Sequence, residues 1–216
     1  MNILFLIAHP DDEAFGPYGT MIKLASEGHK VTVFCICNGE RPGHTGVSAD
    51  RIFAFKDNCE AAGVEFRIQN NSDLTLEYSA TVTNVEGIVN HYVPDVVYTH
   101  NISDLNNDHR IVAEAAMVAC RPKPNSTVKE LYFFEVPSST DWTFSQVQPV
   151  FQPNTYSELS EDIVTLKEQA LKRYETETYE FPDARSVEAM VTLLKYRGYQ
   201  VGVKYAEALK LVLKRC

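Results

Sequence analysis

ILFLIAHPDDE, residues 3–13, joins an apolar strand directly to a group of ionisable side chains. In an open α/β sheet, ligands bind at the carboxyl ends of the strands, and this strand ends at the ionisable group. Pro10 fixes its own φ and biases His9 toward an extended conformation, so the turn is stiff and aims its imidazole and carboxylates at a shared point. An imidazole beside carboxylates suits Zn²⁺ or a similar divalent ion. A capping role alone for His9 and Asp12 would leave three consecutive acidic residues unexplained.

Short apolar runs alternate with longer segments of helical period along the remaining sequence. This pattern predicts a parallel sheet covered by helices on both faces, since each strand must bury two apolar sides. We therefore expect an α/β, Rossmann-like three-layer fold with a mostly parallel sheet. The predicted strands cover residues 3–8, 31–37, 64–68, 95–99 and 129–134.

The helices are predicted from apolar residues spaced three and four apart and from glycine stops. They cover residues 20–27, 50–62, 160–174 and 187–213, the last interrupted near Gly198 and Gly202. The helix at 160–174 is expected to turn inward its residues Ile163, Leu166, Ala170 and Leu171. Two more helical stripes consist of Val82, Val85, Val89 and Tyr92, and of Ile111, Val112, Ala115 and Ala119. Asp108 is the predicted N-cap of the second stripe.

Length and composition favour one globular domain over residues 1–216, because 44% of the residues are hydrophobic and the chain is long enough for one buried core. Residues 136–156 are irregular and rich in proline and serine, and we interpret them as an insert that folds over a site or packs as a flap. The C-terminal helices after this insert carry no obvious chemistry.

The charge of the chain excludes some classes of partner. A formal charge of −9 and a pI near 5.2 leave no basic stripe for a nucleic acid. No apolar run approaches membrane-spanning length, and residues 3–8 are too short for the core of a signal peptide. Five cysteines, an odd number, give no disulfide framework and fit a reducing cytoplasm.

A second polar loop, residues 100–109, follows the strand predicted at 95–99. The carboxyl ends of neighbouring parallel strands meet at one edge of the sheet, so this loop is expected to converge with residues 9–12. A catalytic zinc requires three protein ligands and an open position, which His9, Asp12 and His109 could supply. Asp11, adjacent to these ligands, is the natural candidate for a general base.

Residues 8–13 resemble the Ala-His-Pro-Asp-Asp-Glu signature of the LmbE/PIG-L family of metal-dependent N-deacetylases, and residues 107–110 resemble its second signature. Further similar segments lie at 104–122, 134–140 and 201–208, so that nearly the whole chain is covered. The resemblance implies an LmbE-like fold and hydrolysis of the acetamide of an N-acetylglucosamine-type sugar. It implies zinc on His9, Asp12 and His109, with a zinc-bound water that Asp11 deprotonates. Asp11 would then return the proton to the departing amine.

The sequence also departs from the family pattern. Asn106 stands where some members have a histidine, and an amide can donate a hydrogen bond but cannot move a proton. His100 could take the missing role, with a buried structural histidine as the open alternative. Asp183 replaces a histidine of another family segment, whereas Arg185 is retained. The residues expected to contact substrate are Arg51, His100, Asn106 and Asp108.

Arg51 is assigned to substrate because it matches a family arginine. Arg41 and His44, in the loop at 39–46, could also bind a hydroxyl, phosphate or diphosphate of the substrate, and the alternative, which we prefer for these two, is a solvent-exposed surface charge. Glu13 is expected to orient a ligand rather than to bind the metal.

The expected partner is a small N-acetyl sugar or sugar conjugate, and assembly into a homo-oligomer stays open. Two alternatives also stay open. One is a metal-dependent amidase acting on another N-acyl substrate. The other is a nucleotide-binding module without catalysis, although the first turn lacks the G-x-G-x-x-G pattern of a dinucleotide site.

Overall fold

The computed structural model describes residues 1–41, 47–143 and 149–215. The strands in this part of the chain are β1 (Asn2–Ile7), β2 (Lys30–Cys37), β3 (Glu65–Asn71), β4 (Val96–His100), β5 (Glu130–Phe134), β6 (Thr155–Glu158) and β7 (Ala206–Lys214). The helices are α1 (Asp12–Phe15), α2 (Tyr18–Ser26), α3 (Val47–Ala61), α4 (Tyr78–Tyr92), α5 (Asn107–Ala119), α6 (Glu161–Lys172) and α7 (Val187–Tyr199).

The strands form one sheet in the order β3-β2-β1-β4-β5-β7-β6. The five strands from β3 to β5 are parallel, whereas β7 runs antiparallel to both β5 and β6. The strand order reverses between β1 and β4, which pair in register from Ile3 opposite Val96 to Phe5 opposite Tyr98. The predicted α/β fold with a mostly parallel sheet is confirmed, and its switch point lies between the two strands that lead into the polar loops.

Both faces of the sheet are buried, as the near-continuous apolar strands require. In β1 the odd-numbered residues Ile3, Phe5 and Ile7 join a core with α2, α3, α6 and α7. The even-numbered Leu4 and Leu6 join the other core, with α4 and α5. The two cores hold the strand ends rigidly, so that the loops after β1 and β4 start from fixed positions.

The helix predicted at 187–213 is wrong in its second half, because α7 ends at Tyr199 and residues 206–214 form β7. A Cβ on Gly198 would lie 2.7 Å from the carbonyl oxygen of Val203, and Gly202 has a φ of 78°, so these glycines build the turn out of the helix. Leu209 and Leu211 alternate along β7, and pairing with β5 and β6 overrides the helix propensity of its Ala, Glu, Leu and Lys residues.

One prediction about a helix face and one about a helix cap are also wrong. Leu166 is 37% exposed, and the buried residue beside it is Lys167, which is 1% exposed and lies 2.8 Å from Glu207 on β7. Asp108 is not an N-cap, because the side chain of Asn106 caps α5 by accepting a hydrogen bond from the Asp108 backbone.

The segment predicted as an insert, 136–156, is described except for residues 144–148, which lie outside the described part of the chain. Its end begins β6, at the edge of the sheet, while residues 136–143 run beside the loop after β4. Within the described ranges, each helix falls short of the length and apolar character that crossing a bilayer requires.

Candidate active site

The turn after β1 holds Asp11 in an unusual backbone conformation. Asp11 has a φ of 138° and a ψ of −26°, a region that residues other than glycine rarely adopt. The backbone N–H of Asp11 donates to Oε2 of Glu13 over 3.1 Å, and that of His9 donates to Oδ2 of Asp12 over 2.7 Å. These bonds hold the backbone of the turn in this conformation at the end of the strand.

The structure brings His9, Asp12 and His109 together from the two predicted loops. Nδ1 of His9 lies 3.4 Å from Oδ2 of Asp12, and Nε2 of His109 lies 3.2 Å from Oδ1 of the same carboxylate. One ligand atom from each residue falls within 4.8 Å of the others, and all three residues are buried. This is a spacing from which two imidazoles and a carboxylate can converge on one ion.

Each of the two histidines has a carboxylate on its other ring nitrogen. Nε2 of His9 lies 3.0 Å from Oδ2 of Asp108, which also accepts from the backbone N–H of Leu74. Nδ1 of His109 lies 2.9 Å from Oδ2 of Asp104. Carboxylates in this position orient metal-ligating imidazoles and select the tautomer that leaves the inner nitrogen free to bind a metal.

The buried carboxylates of this cluster stabilise positive charge on its histidines. Burial lowers the pKa of His9, but hydrogen bonds to Asp108 and Asp12 outweigh it and raise that pKa to about 10. Burial also lowers the pKa of His109, but the charge of Asp12 outweighs it and raises that pKa to about 9. The pKa of Asp12 is held well below its usual value, since His109 and His100 outweigh the effect of burial. A divalent cation would replace these protons, so the residues fit a metal of the zinc type.

His100 does not reach the place where a substrate would bind. It is fully buried, and its ring stacks on that of His109 with centroids 3.8 Å apart. Its Nε2 accepts a hydrogen bond from the backbone N–H of Ala8, and burial together with His109 lowers its pKa. A ring that is buried against His109 does not favour the predicted contact of His100 with substrate. The alternative interpretation, a structural histidine, agrees with this placement.

Two arginines hold the carboxylate of Asp11. Nη2 of Arg185 donates to Oδ2 of Asp11 over 2.6 Å, and Nη2 of Arg51 lies 3.3 Å from the same oxygen. The guanidinium of Arg185 also packs 3.9 Å above the ring centroid of Phe15. Both basic contacts go to one oxygen of Asp11, which fixes the plane of the carboxylate.

Arg51 is 3% exposed and is largely occupied by protein groups. It donates to the carbonyl oxygens of Pro10 and Gly39 and, over 3.0 Å, to Oδ2 of Asp73. The charges of Asp11, Glu177 and Asp73 outweigh burial and raise its pKa. Arg51 thus connects the turn after β1 to the loop after β2. Because most of its N–H groups contact protein groups, few of them remain for the predicted contact with substrate.

A cleft of about 500 Å³ opens over this cluster and is called the polar cleft below. The residues that line it include His9, Asp11, Asp12, Asn106, His109, Ser139 and Arg185. Asn106 is half-buried here, as a substrate contact requires. Asp108 is fully buried, is not among the residues that line the polar cleft and contacts His9, an arrangement that does not favour its predicted contact with substrate.

Arg41 also lines the polar cleft, 51% exposed at its side chain, while His44 lies outside the described residues. The carboxylate of Glu13, which was predicted to orient a ligand, instead accepts hydrogen bonds from the backbone N–H of Asp11 and from two side chains outside the His9, Asp12 and His109 group. Its Oε1 accepts from Asn58 and Tyr174, and burial raises its pKa to about 7.

Sequence reasoning missed Asp104, Asp73 and Glu177 as members of the site. Asp104 precedes His109 by five positions and faces it across the start of α5, a spacing that the sequence displays without indicating the contact. Asp73 and Glu177 come from segments with no motif, and only the folded chain places them around Arg51. Asp183 accepts from the backbone N–H of Arg185 and so shapes the segment that presents this arginine.

Comparison with known proteins connects this geometry to one family. The PIG-L family model, described as GlcNAc-PI de-N-acetylase, matches residues 4–120. The uncharacterized deacetylase YaiS of Escherichia coli strain K12 is 29% identical over 183 residues, which is 81% of this chain and 91% of that protein. The probable N-acetyl-alpha-D-glucosaminyl L-malate deacetylase 2 of Bacillus cereus is 28% identical over 137 residues, 57% of this chain and 62% of that protein.

Among solved structures, the N,N'-diacetylchitobiose deacetylase of Pyrococcus horikoshii superposes with a TM-score of 0.77. The match covers 98% of this chain and 83% of that one at 19% sequence identity, which is a likeness of fold.

Proposed function

Since this chain belongs to the PIG-L family, whose model matches residues 4–120, we propose that it hydrolyses the acetamide of an N-acetylglucosamine-type sugar in a metal-dependent reaction. The observation that carries the proposal is the convergence of His9, Asp12 and His109 at the floor of the polar cleft, with Asp11 beside them. The names of the relatives support deacetylation of an amino sugar, because the Bacillus cereus protein is named for an N-acetylglucosaminyl substrate.

We assign metal binding to His9, Asp12 and His109, with Asp104 and Asp108 orienting the two imidazoles. A zinc or similar ion there would supply a Lewis acid that activates water and polarises the acetyl carbonyl. The chain itself provides a dry, buried floor in which charges interact more strongly than in bulk water.

Asp11 is proposed to move the proton. Arg185 and Arg51 both contact Oδ2, so Oδ1 is the oxygen assigned to receive a proton from the attacking water. The same oxygen would deliver that proton to the amine nitrogen as the C–N bond breaks. Free acetate and the amino sugar would then leave. Asn106 would donate a hydrogen bond from its amide to the substrate. An amide cannot exchange a proton, so Asn106 takes no part in the proton transfer.

Replacement of the proposed base tests the mechanism. Asp11→Asn keeps the size of the side chain but cannot accept the proton, so we expect zinc to be retained and acetate release from N-acetylglucosamine to fall by about 10²- to 10⁴-fold. Zinc would be measured by elemental analysis and acetate by an enzyme-coupled assay. Asp162→Asn, an exposed position in the first turn of α6, is the matched control and should leave both readouts unchanged. Full activity of Asp11→Asn would remove Asp11 as the base.

A substrate panel separates deacetylation of a sugar from the alternatives. The panel consists of N-acetyl and longer N-acyl glucosamines together with non-sugar acetamides, assayed for released amine. Release from N-acetyl sugars alone supports the proposal, whereas release mainly from non-sugar amides favours a different amidase. Saturable nucleotide binding in a protein that takes up no zinc would favour a non-catalytic module.

A further inference from the structure

A second cavity, of about 470 Å³, lies next to the polar cleft and is called the apolar cavity below. Consecutive residues line the two spaces on both sides of their boundary. Ser139 lines the polar cleft and Thr140 the apolar cavity, and likewise Arg185 lines the first and Ala184 the second. The two spaces are therefore adjacent at these two pairs of residues.

The apolar cavity is lined largely by aromatic and aliphatic side chains, which include Pro137, Val150, Phe151, Phe181, Leu193 and Tyr196. Three of these are held open to solvent, since Phe181 is 57% exposed, Val150 51% and Tyr196 42%. Exposed apolar side chains gathered around one concavity are typical of a binding site, because their exposure costs free energy that a ligand recovers.

Charge at the apolar cavity argues against an anionic ligand. Arg197 is the lining cation in the described residues, and it forms two hydrogen bonds to the carboxylate of Glu135, at 2.9 Å and 2.6 Å. Its charge is thus neutralised within the protein, and the carboxylate of Asp141 remains at the edge. In the described lining, a phosphate or diphosphate carrier would meet a carboxylate and no unpaired cation. The guanidinium of Arg197 also lies 5.1 Å from the ring centroid of Tyr196, as part of an aromatic wall.

The boundary between the two spaces is hydrogen-bonded to the residues around His109. The hydroxyl of Thr140 donates to Oδ1 of Asp104, whose other oxygen contacts His109. The carbonyl oxygen of Ser139 accepts from the backbone N–H of Leu105 over 2.9 Å. The preceding Ser138 has a φ of 68°, a strained conformation of the kind that persists where surrounding contacts enforce it. Hydrogen bonds therefore fix this boundary to the loop after β4, which carries Asp104.

We propose that the apolar cavity binds an uncharged aromatic or apolar aglycone attached to the sugar whose acetamide occupies the polar cleft. The inference rests on the proposed function and adds the class of substrate. The aglycone is favoured over a long N-acyl chain by position. Among the described residues, His9, Asp12, His109 and Asp11 line the polar cleft and not the apolar cavity. The acyl carbon must react beside those residues, and in the proposed deacetylation the acyl group ends at its methyl carbon, so the neighbouring space is left to the other end of the sugar.

Binding of deacetylated products tests the proposal without relying on turnover. Calorimetry on the zinc-loaded protein would compare 4-nitrophenyl β-D-glucosaminide with glucosamine. The aryl group buries apolar surface in the cavity, so we expect it to bind about tenfold or more tightly than the free sugar. Equal affinities, or failure of the aryl glycoside to bind, would overturn the proposal.

Ala189 lies on the face of α7 that lines the apolar cavity, together with Leu193 and Tyr196. Ala189→Phe fills the cavity, so it should abolish the aryl advantage and leave glucosamine affinity unchanged. Lys195→Phe, on an exposed position of the same helix, is the matched control and should retain the advantage. Phe181→Ser, at a side chain already 57% exposed, offers a second variant with little risk to folding and should weaken aryl binding. An advantage that survives in both Ala189→Phe and Phe181→Ser would contradict the assignment.

Hydrolysis assays distinguish this proposal from the proposed function, with acetate measured for the two acetylated sugars and released amine for the octanoyl sugar. The same proteins would be assayed with N-acetylglucosamine, its 4-nitrophenyl glycoside and N-octanoylglucosamine. Acetate from both acetylated sugars at equal kcat/KM overturns the aglycone site alone. Loss of acetate release from both sugars, with aryl binding intact, overturns deacetylation alone. Faster hydrolysis of the octanoyl sugar, reduced by Ala189→Phe, would assign the cavity to the acyl chain and overturn the aglycone proposal.

Discussion

At the scale of single residues, the paired carboxylates of Asp104 and Asp108 decide what the histidines can do. Each imidazole has one nitrogen against a carboxylate and the other toward Asp12. A histidine without such a partner can change tautomer and ring orientation, and both changes weaken metal binding. The site is therefore defined by five side chains, of which three would touch the ion.

Asp104→Asn tests this orientation. The substitution preserves shape but weakens the hydrogen bond to Nδ1 of His109, so we expect zinc affinity to fall by about 10- to 100-fold. Affinity would be measured by competition with a chromophoric chelator. Asp95→Asn is the control, since Asp95 also accepts hydrogen bonds but lies before β4, at the opposite end of that strand. Unchanged zinc affinity in Asp104→Asn would mean that other contacts orient His109.

The sequence was sufficient to identify residues that share a motif. His9, Asp11 and Asp12 follow a buried strand, and His109 lies in a second polar loop, so their convergence was predictable from the topology. The direction in which a side chain points was not predictable. His100 ends its strand facing the interior, and Arg51 turns to three protein carboxylates, because of contacts made by residues far away in sequence.

At the scale of elements, β7 holds the start of α2, which follows the turn that carries Asp11. Glu207 on β7 accepts from the backbone N–H groups of Gly19 and Thr20 at the start of α2, at 2.8 Å and 2.7 Å. Its charge is balanced by Lys167 of α6, which also donates to the carbonyl oxygen of Gly16. This buried pair connects three elements next to the turn that carries the proposed base.

Lys167→Met is expected to destabilise the protein strongly. The substitution leaves Glu207 buried and unpaired, which typically costs about 3–5 kcal/mol of the free energy of unfolding. Urea unfolding followed by circular dichroism would measure it. Lys172→Met, exposed on the same helix, should stay within about 0.5 kcal/mol of the wild type. A similarly small change in Lys167→Met would show that Glu207 is satisfied by α2 alone.

The central parallel strands β1, β2, β4 and β5 were predictable because both of their faces are largely apolar, which leaves a short uninterrupted run in the sequence. The last strand was not. Residues 206–214 combine good helix formers with leucines at alternate positions, and both patterns are present in one segment. Its pairing partners, β5 and β6, decide between them, and they lie dozens of residues earlier.

At the scale of the whole molecule, the cluster links stability to pH. In the metal-free protein the pKa values of His9 and His109 are about 10 and 9, above the ordinary value of 6.5. Between pH 6.5 and these raised pKa values, the folded state therefore binds more protons than the unfolded state. The stabilisation is complete below about pH 6.5 and is lost as the pH rises through 9 to 10.

We accordingly expect the melting temperature of chelator-treated protein to fall between pH 7 and pH 10. Differential scanning calorimetry across this range would measure the slope. His109→Asn should reduce the slope, because one of the two titrating groups is gone, while His91→Asn, at an exposed position of α4, should not. Identical slopes in the wild type and His109→Asn would contradict the link between this cluster and stability.

The pairing of β1 with β4 has a consequence for how the protein acquires an ion. His9 and Asp12 emerge with the first strand, but the third donor arrives only after β2 and β3 have been added and β4 has inserted on the other side of β1. A nascent or half-assembled chain thus offers two donors and no enclosed pocket, too few for tight retention. On the proposed function, tight metal binding would therefore require the completed pairing of β1 with β4, because that pairing brings the three proposed donors together.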